Sequence, residues 1–259
     1  TIDAPTNVAG SFRYTLTEIK NSGSSVCVRP KNVFVDIVVN ANTGLSLDAG
    51  SNNAQVVCQN SAISAISYTI SGGGTNASII SWTPSAPPGI TGVFDNSTKK
   101  FIISGTPTGT PGTYSYTVEA TGPCLPNQLS GTITVNELPT ASISGTTEVC
   151  KDAPMPQVVL TGSGGTAPYT FTYSLNSVAQ TPVVSAANTF TINVPTTTVG
   201  TYTYELISVR DASSTLCSQG QTGTATVIVN PLPTVDFSFT APSCATRTIT
   251  FQDLSAPNV

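Results

Sequence analysis

The chain repeats itself, and this self-similarity constrains its fold more than any other feature of its sequence. Residues 1–40 align without a gap on residues 191–230, and residues 135–150 align without a gap on residues 229–244. A third copy of the first segment contains Gly112-Thr113-Tyr114. Because a fixed period makes each repeat one structural unit, we expect each segment of about 94 residues to fold as one domain.

This period divides the 259 residues into two complete repeats and two partial ones. The predicted boundaries are 1–41 for the C-terminal part of a repeat, 42–137 and 138–231 for complete repeats, and 232–259 for the N-terminal start of a further repeat. Both ends are therefore expected to lie within repeats of a longer array.

Each repeat consists of short runs of β-branched and aromatic residues, interrupted by Gly, Pro, Asn and Ser. Such runs predict closely spaced strands and carry no helical period. Six or seven strands in about 94 residues are typical of an immunoglobulin-sized sandwich, so the predicted fold is all-β, with tandem immunoglobulin-like β-sandwich repeats in an elongated rod. The predicted strands are 65–71, 77–82, 100–104, 113–120 and 131–135 in the second repeat, and 141–145, 157–163, 168–175, 188–194, 201–209 and 222–229 in the third.

The repeated element Gly-Thr-Tyr-x-Tyr, at Gly112–Tyr116 and Gly200–Tyr204, alternates as a strand does. Its two aromatic side chains should then point the same way, into the core. Alternatively, one of them is a tyrosine corner, whose hydroxyl bonds back to the chain near the start of the penultimate strand.

The six cysteines fall into two classes that alternate along the chain, with successive members of a class 92 to 97 residues apart. The early cysteines are Cys58, Cys150 and Cys244, and the late cysteines are Cys27, Cys124 and Cys217. Six cysteines without histidine favour structural disulfides and an oxidising compartment, hence an extracellular or cell-surface location. Pairing early with late inside each repeat predicts the disulfides Cys58–Cys124 and Cys150–Cys217, and leaves Cys27 and Cys244 unpaired.

The composition argues against catalysis and metal binding. No histidine is available as a general base or zinc ligand, and the 13 acidic residues are dispersed, so no catalytic residue, metal site or cofactor is predicted and the chain is not expected to be an enzyme. Only 8% of residues are charged and Lys99-Lys100 is the only adjacent basic pair, so no nucleic-acid partner is expected. No apolar run is long enough for a membrane span.

A few residues could nevertheless act in binding. Trp82 could form a sugar-stacking platform, but its strand context beside Ile79 and Ile80 favours the core. Asp152, Asp211 and Asp236 are interpreted as turn or edge residues rather than calcium ligands, because no acidic cluster surrounds them. A calcium site built from backbone carbonyls stays open.

The chain resembles a known family through four motifs. These are the junctions Val135–Thr140 and Val229–Thr234 of the form Val-Asn-x-Leu-Pro-Thr, the run Ile102–Thr108, the Gly-Thr-Tyr-x-Tyr element and the final strand Gly-Thr-x-Thr-Val. Together they resemble the Ig-like and PKD-like repeats of very large Bacteroidetes surface proteins, similar in style to the gliding-motility adhesin exported by the type IX secretion system. Residues 249–255 look like the start of a PKD domain. Because the chain lacks the Trp-x-Phe-Gly-Asp-Gly motif of many PKD domains, its complete repeats are better described as Ig-like.

The resemblance implies a structural and adhesive stalk of a giant cell-surface filament, which mediates attachment to surfaces and gliding motility. Its implied partners are the neighbouring repeats, a polysaccharide or abiotic surface, and the motility machinery. No functional residue transfers with the resemblance. Two alternatives are spacer repeats of a secreted multidomain enzyme and a carbohydrate-binding module, the latter needing exposed aromatic side chains.

Overall fold

A computed structural model describes residues 3–4, 6–240 and 249–255. These residues form strands, turns and loops, and none of them is helical. The chain splits into two compact units, residues 1–135 and 136–259.

In the first unit, β1 (Gly10–Lys20) and β2 (Val28–Val39) form an antiparallel hairpin, with Gly10 opposite Val39, Lys20 opposite Val28 and a shift of register between Leu16 and Glu18. Arg13 and Asp36 pair across it through two hydrogen bonds of 2.7 and 2.8 Å.

The second repeat forms a two-sheet sandwich. One sheet has the order β3-β5-β8-β7 and the other β4-β10-β9-β6. This arrangement is that of a constant-type immunoglobulin domain, with a short additional strand beside the last one. The strands are β3 (Thr43–Leu47), β4 (Ala54–Cys58), β5 (Ile66–Gly72), β6 (Asn76–Thr83), β7 (Ile90–Asp95), β8 (Lys100–Gly105), β9 (Gly112–Thr121) and β10 (Asn127–Asn136).

Alternation along the strands places the core of this repeat between the two sheets. On β9 the side chains of Tyr116, Val118 and Ala120 are at most 1% exposed. They face Tyr68 and Ile66 of β5, and the hydroxyls of Tyr68 and Tyr116 lie 3.0 Å apart. The buried hydroxyls satisfy each other, so two large aromatic side chains fill the core without an unpaired polar atom between them.

The third repeat has the same architecture. One sheet has the order β11-β13-β17 and the other β12-β20-β18-β14-β15, with β16 paired to β14 and β19 to β18. The strands are β11 (Thr140–Ser144), β12 (Thr147–Cys150), β13 (Gln157–Ser163), β14 (Thr170–Leu175), β15 (Val178–Ala179), β16 (Val183–Val184), β17 (Thr189–Asn193), β18 (Gly200–Arg210), β19 (Ser218–Gly220) and β20 (Thr224–Asn230). A last pair, β21 (Phe237–Phe239) and β22 (Phe251–Asp253), follows this repeat.

All-β architecture is confirmed, and the predicted strands lie within three residues of observed ones at their starts, except that β10 begins at Asn127 rather than at residue 131. The structure adds strands that the sequence did not indicate. They are β3, β4 and β7 in the second repeat and β12, β15, β16 and β19 in the third. These strands are two to six residues long, and short segments at sheet edges carry too few core positions to show a period of two.

The hairpin of β1 and β2 is more exposed than the equivalent segment of the third repeat. β1 and β18 occupy identical positions of the repeat, 190 residues apart. Leu16 is nevertheless 50% exposed, whereas Leu206 at the same position is 1% exposed. Leu206 is covered by the second sheet of its own repeat, and no second sheet lies over β1 and β2 among the described residues.

Both interpretations of the Gly-Thr-Tyr-x-Tyr element are correct, each for one of the two tyrosines. The second tyrosine enters the core, since Tyr116 is 1% and Tyr204 3% exposed. The first is a tyrosine corner: the Tyr114 hydroxyl donates to the carbonyl of Thr110 at 2.5 Å, and Tyr202 donates to that of Thr198 at 2.9 Å. Each corner ties the start of the strand to the loop before it.

We expect Tyr114→Phe to destabilise the second repeat by about 1 to 2 kcal/mol, because it removes a part-buried hydrogen bond and leaves the Thr110 carbonyl without that donor. Tyr202→Phe should cost less than about 1 kcal/mol, since its hydroxyl is exposed to water. Urea unfolding followed by Trp82 fluorescence reports the first variant, and hydrogen exchange of β18 the second. Equal losses at the two sites would contradict burial as the cause of the difference.

A polar cluster at Asp48 supports the first sheet of the second repeat. Its carboxylate accepts hydrogen bonds from Ser67 Oγ at 2.6 Å and Thr69 Oγ1 at 2.5 Å and pairs with Lys100. Burial would raise the pKa of Asp48, but the hydrogen bonds from Lys100, Ser67 and Thr69 outweigh it and lower the pKa to about 2.

A pKa lowered by folding stabilises the repeat above the ordinary pKa of aspartate, and this stabilisation is lost as the pH falls toward 2. We expect Asp48→Asn to remove on the order of 2 kcal/mol at neutral pH and to flatten the fall in stability between about pH 4 and pH 2. Trp82 fluorescence during urea unfolding at each pH measures this. Hydrogen bonds from Ser97 and Thr98 also lower the pKa of Asp95 to about 2. The stability of the Asp48→Asn variant therefore still falls somewhat over the same pH range.

The matched control is Glu119→Gln, which changes a carboxylate on β9 of the same repeat outside this cluster. An Asp48→Asn variant with an unchanged pH profile would show that the cluster does not couple protonation to folding.

Candidate functional site: the cysteine-bearing ends of the repeats

Each complete repeat carries one cysteine at each of its two ends. In the third repeat β12 ends at Cys150 and runs parallel to β20, so Cys150 lies opposite Asn230. At this end β20 stops and β18 starts, because Gly200 pairs with Val229. The early cysteine therefore lies at the end of the sandwich where the repeat finishes.

The late cysteine lies at the opposite end. Cys217 follows β18, and its carbonyl accepts a hydrogen bond of 2.9 Å from the amide of Asp211, the residue after β18. A strand rises roughly 3.3 Å per residue, so the 11 residues of β18 separate its two ends by about 33 Å. The Cα atoms of a disulfide are less than about 7 Å apart. Cys150 and Cys217 thus cannot bond within one repeat.

The second repeat has the same geometry. Just after Cys58, the amide of Asn60 donates to the carbonyl of Pro107 at 2.9 Å, shortly before β9 begins. Cys124 instead follows β9, which ends at Thr121. β9 is 10 residues long and separates the two cysteines as β18 does in the third repeat.

The predicted disulfides Cys58–Cys124 and Cys150–Cys217 are therefore corrected. Cys124 and Cys150 are free thiols, as is the exposed Cys27, whereas Cys58 and Cys217 are each disulfide-bonded. Cys244 lies outside the described residues. The sequence period identified the two cysteine classes, but the direction of the strands between them could not be derived from spacing.

The turn after the early cysteine is built alike in both repeats. Asn60 and Asp152, each two residues beyond the cysteine, adopt the left-handed conformation with φ of 63° and 64°. Asn and Asp tolerate this region better than other side chains. The amide of Asp152 donates to the carbonyl of Thr196 at 3.1 Å, as that of Asn60 does to Pro107. Asp152 is a turn residue, as predicted from the sequence.

Asp211 organises the loop that carries Cys217. Its carboxylate is 2% exposed and accepts hydrogen bonds from Ser213 Oγ at 2.8 Å and from the amide of Thr166 at 3.1 Å. The amide of Cys217 in turn donates to Ser213 Oγ at 3.5 Å. Asp211 begins the loop after β18, where a turn or edge residue was predicted, but it is buried and fixes the path of the loop toward the cysteine.

Two glycines allow the loop at residues 164–165 to lie close to Asp211. Gly164 and Gly165 have φ of 68° and 61°, and a Cβ on Gly165 would lie 2.5 Å from an Asp211 carboxylate oxygen. The amide of Gly165 donates to Glu137 at 3.3 Å. Tyr169 donates its hydroxyl to the Gly164 carbonyl at 2.6 Å, and burial together with the charges of Asp211 and Glu137 raises its pKa.

Trp82 packs against the core of the second repeat, with its ring centroid 5.2 Å from that of Tyr116. Across residues 42–231, all of which are described, every Phe, Tyr and Trp side chain is buried or half-buried. The complete repeats therefore present no exposed aromatic face.

The described part of the chain contains no group of three or more His, Cys, Asp or Glu side chains that could hold a metal ion. No helix there is long and apolar enough to cross a membrane.

Comparison with known proteins supports the fold. No protein-family model and no curated protein matches the sequence. The structure is similar to the three-Ig titin segment I67–I69 in an E-to-A mutated variant, with a TM-score of 0.51 and 10% identity, over 84% of this chain and 77% of that one. Fibronectin(III)-like modules of Clostridium thermocellum CbhA match with a TM-score of 0.32 and 10% identity, over 73% and 95% of the two chains. The chain is an all-β protein of tandem immunoglobulin-like repeats.

We expect Asp211→Ala to loosen the loop around Cys217, because Ser213 and Thr166 lose a buried charged acceptor, at a cost on the order of 1 to 3 kcal/mol. Hydrogen exchange of residues 205–221 should become faster, and dithiothreitol should reduce the disulfide of Cys217 sooner. Asp236→Ala, which removes an exposed aspartate, is the matched control. Unchanged exchange in Asp211→Ala would show that the carboxylate does not hold the loop.

Proposed function

We propose that this chain is a structural and adhesive stalk segment of a giant cell-surface filament protein. The observation that carries the proposal is the tandem arrangement of immunoglobulin-like repeats, in which every aromatic side chain of residues 42–231 is buried or half-buried. An array of such repeats supplies length and contacts between neighbouring repeats, so we place the function in the array rather than in a single repeat.

The surface chemistry supports a passive stalk. Only 8% of residues are charged, and Thr, Ser and Asn are abundant, so electrostatic attraction to other macromolecules is weak. The absence of histidine from the whole sequence removes the commonest general base. We therefore propose that the chain itself is not an enzyme.

The cysteines support the proposal of an extracellular location. Structural disulfides persist where the surroundings are oxidising, and Cys58 and Cys217 are both disulfide-bonded. The bond on Cys217 involves a sulfur on a residue only 1% exposed, which shields it from soluble reductants. We propose the outer cell surface as the site of action.

The finer proposal is attachment to surfaces and gliding motility, with export by type IX secretion. It is supported by the junction and strand motifs shared with Bacteroidetes surface repeats. A polysaccharide or abiotic surface and the motility machinery are the proposed partners, in addition to the neighbouring repeats.

Spacer repeats of a secreted multidomain enzyme are the second candidate, since the same physical properties suit a passive spacer. A catalytic domain on the same polypeptide would distinguish this candidate. The carbohydrate-binding alternative is disfavoured by the lack of an exposed aromatic face on residues 42–231.

A replacement experiment in the parent protein tests the stalk proposal. We expect deletion of residues 42–231 to reduce surface attachment and gliding, because the stalk becomes shorter. Replacing these residues with foreign immunoglobulin repeats of equal number should restore both, because a stalk needs length and not a particular surface. Attachment and gliding speed of the cells are the measurements.

Loss of attachment in the foreign-repeat strain, at normal surface display, would contradict a passive stalk and indicate a binding module. Unchanged attachment and motility in the deletion strain would contradict a contribution of these repeats to either process.

A further inference from the structure

The linker in front of the third repeat is packed as part of a domain. The compact unit that contains this repeat begins at Asn136, so it includes residues 137–139, which join β10 to β11. Glu137 is exposed, Leu138 is half-buried and Pro139 is buried. Connecting segments normally run over the protein surface, so a buried one needs neighbours that pack against it.

Two loops of the third repeat contact this linker. Asn136 Nδ2 donates to Thr215 Oγ1, in the loop that follows β18, at 2.9 Å. The amide of Gly165, in the loop that follows β13, donates to the Glu137 carboxylate at 3.3 Å. Asn136 and Glu137 are thus bonded to different loops, and two loops of one repeat hold one short segment.

Gly164 leaves room for the backbone of the linker. A Cβ at this position would lie 3.2 Å from the carbonyl oxygen of Leu138 and 3.3 Å from the carboxyl group of Glu137. Its φ of 68° is a conformation that glycine adopts without the steric cost that a Cβ brings. A side chain here would therefore strain the loop and press on the linker at once.

The second repeat holds its linker in the same way. The segment from Asn40 to Asn42 joins β2 to β3, and the amide of Gly73 donates to the Asn42 carbonyl at 3.2 Å. A Cβ on Gly73 would clash with the carbonyl oxygen of Ala41. Cys124 Sγ, in the loop after β9, lies 3.4 Å from the Asn40 carbonyl oxygen. The loops after β5 and β9 correspond to those after β13 and β18, so the arrangement belongs to the repeat.

The junction after β20 provides an internal comparison. Its sequence has the same pattern, with Leu232 and Pro233 in the places of Leu138 and Pro139. Leu232 is 52% exposed and Pro233 is exposed, whereas Leu138 is half-buried and Pro139 is buried. The described residues that follow this junction form β21 and β22 and no counterpart of β18. The loops of a following repeat, and not the linker sequence, therefore account for the burial.

We propose that each linker is ordered by the repeat that follows it, and that this packing protects the junction from proteases. Loops open locally at a lower free energy than core strands do, so the two loops can release the linker while the sandwich stays folded. Cleavage of the released linker then follows the population of this open form. The packing holds whether or not the array serves as a stalk.

The packing also gives the junction a direction. Unfolding of the third repeat removes both loops and exposes the linker in front of it. The partners of Asn136 and Glu137 belong to the third repeat, so unfolding of the second repeat leaves these hydrogen bonds in place. Because exposed connecting segments are preferred sites of proteolytic cleavage, a protease would cut in front of the repeat that has unfolded.

A glutamyl endopeptidase tests the proposal at Glu137. The full chain is digested under native conditions, the products are reduced, and mass spectrometry follows cleavage after Glu137, Glu148 and Glu205 over time. Glu148 lies in β12 and Glu205 in β18, so cleavage after either residue requires the sandwich to open. The test variant is Gly164→Ala, which places a methyl group against the Leu138 carbonyl.

We expect Gly164→Ala to raise the rate of cleavage after Glu137 about tenfold, because strain in the loop raises the population of the open form. The rates after Glu148 and Glu205 should stay within about twofold of those of the native chain, since the core strands are unchanged. The matched control is Gly200→Ala. Gly200 also has a positive φ, of 156°, but a Cβ there meets no atom within 4 Å, so the three rates should change by one common factor.

A synthetic peptide of residues 132–142 gives the rate for an uncovered linker. Cleavage after Glu137 in the native chain should be at least about a hundredfold slower than in this peptide, since a covered linker is rarely open. A native rate close to that of the peptide would overturn the proposal. In Gly164→Ala, an unchanged rate after Glu137, or equal acceleration after all three glutamates, would overturn it as well.

Discussion

Burial of one face of the penultimate strand is the interaction on which each complete repeat depends. In β9 the alternation of Tyr116, Val118 and Ala120 provides this face, and in β18 Tyr204 and Leu206 do so. A fully buried side chain of this size contributes about 1.5 to 3 kcal/mol. The corner hydroxyl of Tyr114 or Tyr202 then fixes where the strand starts, so packing and one local hydrogen bond together set its register.

The length of the same strand determines which cysteines of a repeat are too far apart to form a disulfide. Its ends are the two ends of the sandwich, and each cysteine class is attached to one of them by a loop or a short parallel strand. Spacing in sequence therefore bears no simple relation to distance: Cys150 and Cys217 are 67 residues apart in the sequence and lie toward opposite ends of β18, whose ends are about 33 Å apart. A disulfide inside the repeat is excluded by strand length, even though chain-entropy arguments alone would favour it.

Repetition made the fold predictable from the sequence, because three imperfect copies report on one structure. Long strands with alternating Val, Ile and Tyr, such as β9 and β18, were located closely. β4 and β12 were not, because they are five and four residues long and their pairing partner is a strand distant in sequence. Those two strands carry the early cysteines, so the prediction failed where the connectivity of the disulfides is decided. Asp211 was recognised as a turn residue, but its burial depends on Thr166 from another loop and has no local signal.

Because the surface carries few charges, ion pairs contribute little where one repeat follows the next. With 8% charged residues, neighbouring domains have few ion pairs available to fix their orientation, and exposed pairs contribute at most about 1 kcal/mol each. Hydroxyl and amide side chains such as Thr215 and Asn136 can bond at the junction, yet water competes for them. Each complete repeat already possesses its own apolar core, so its stability does not depend on ion pairs at its ends.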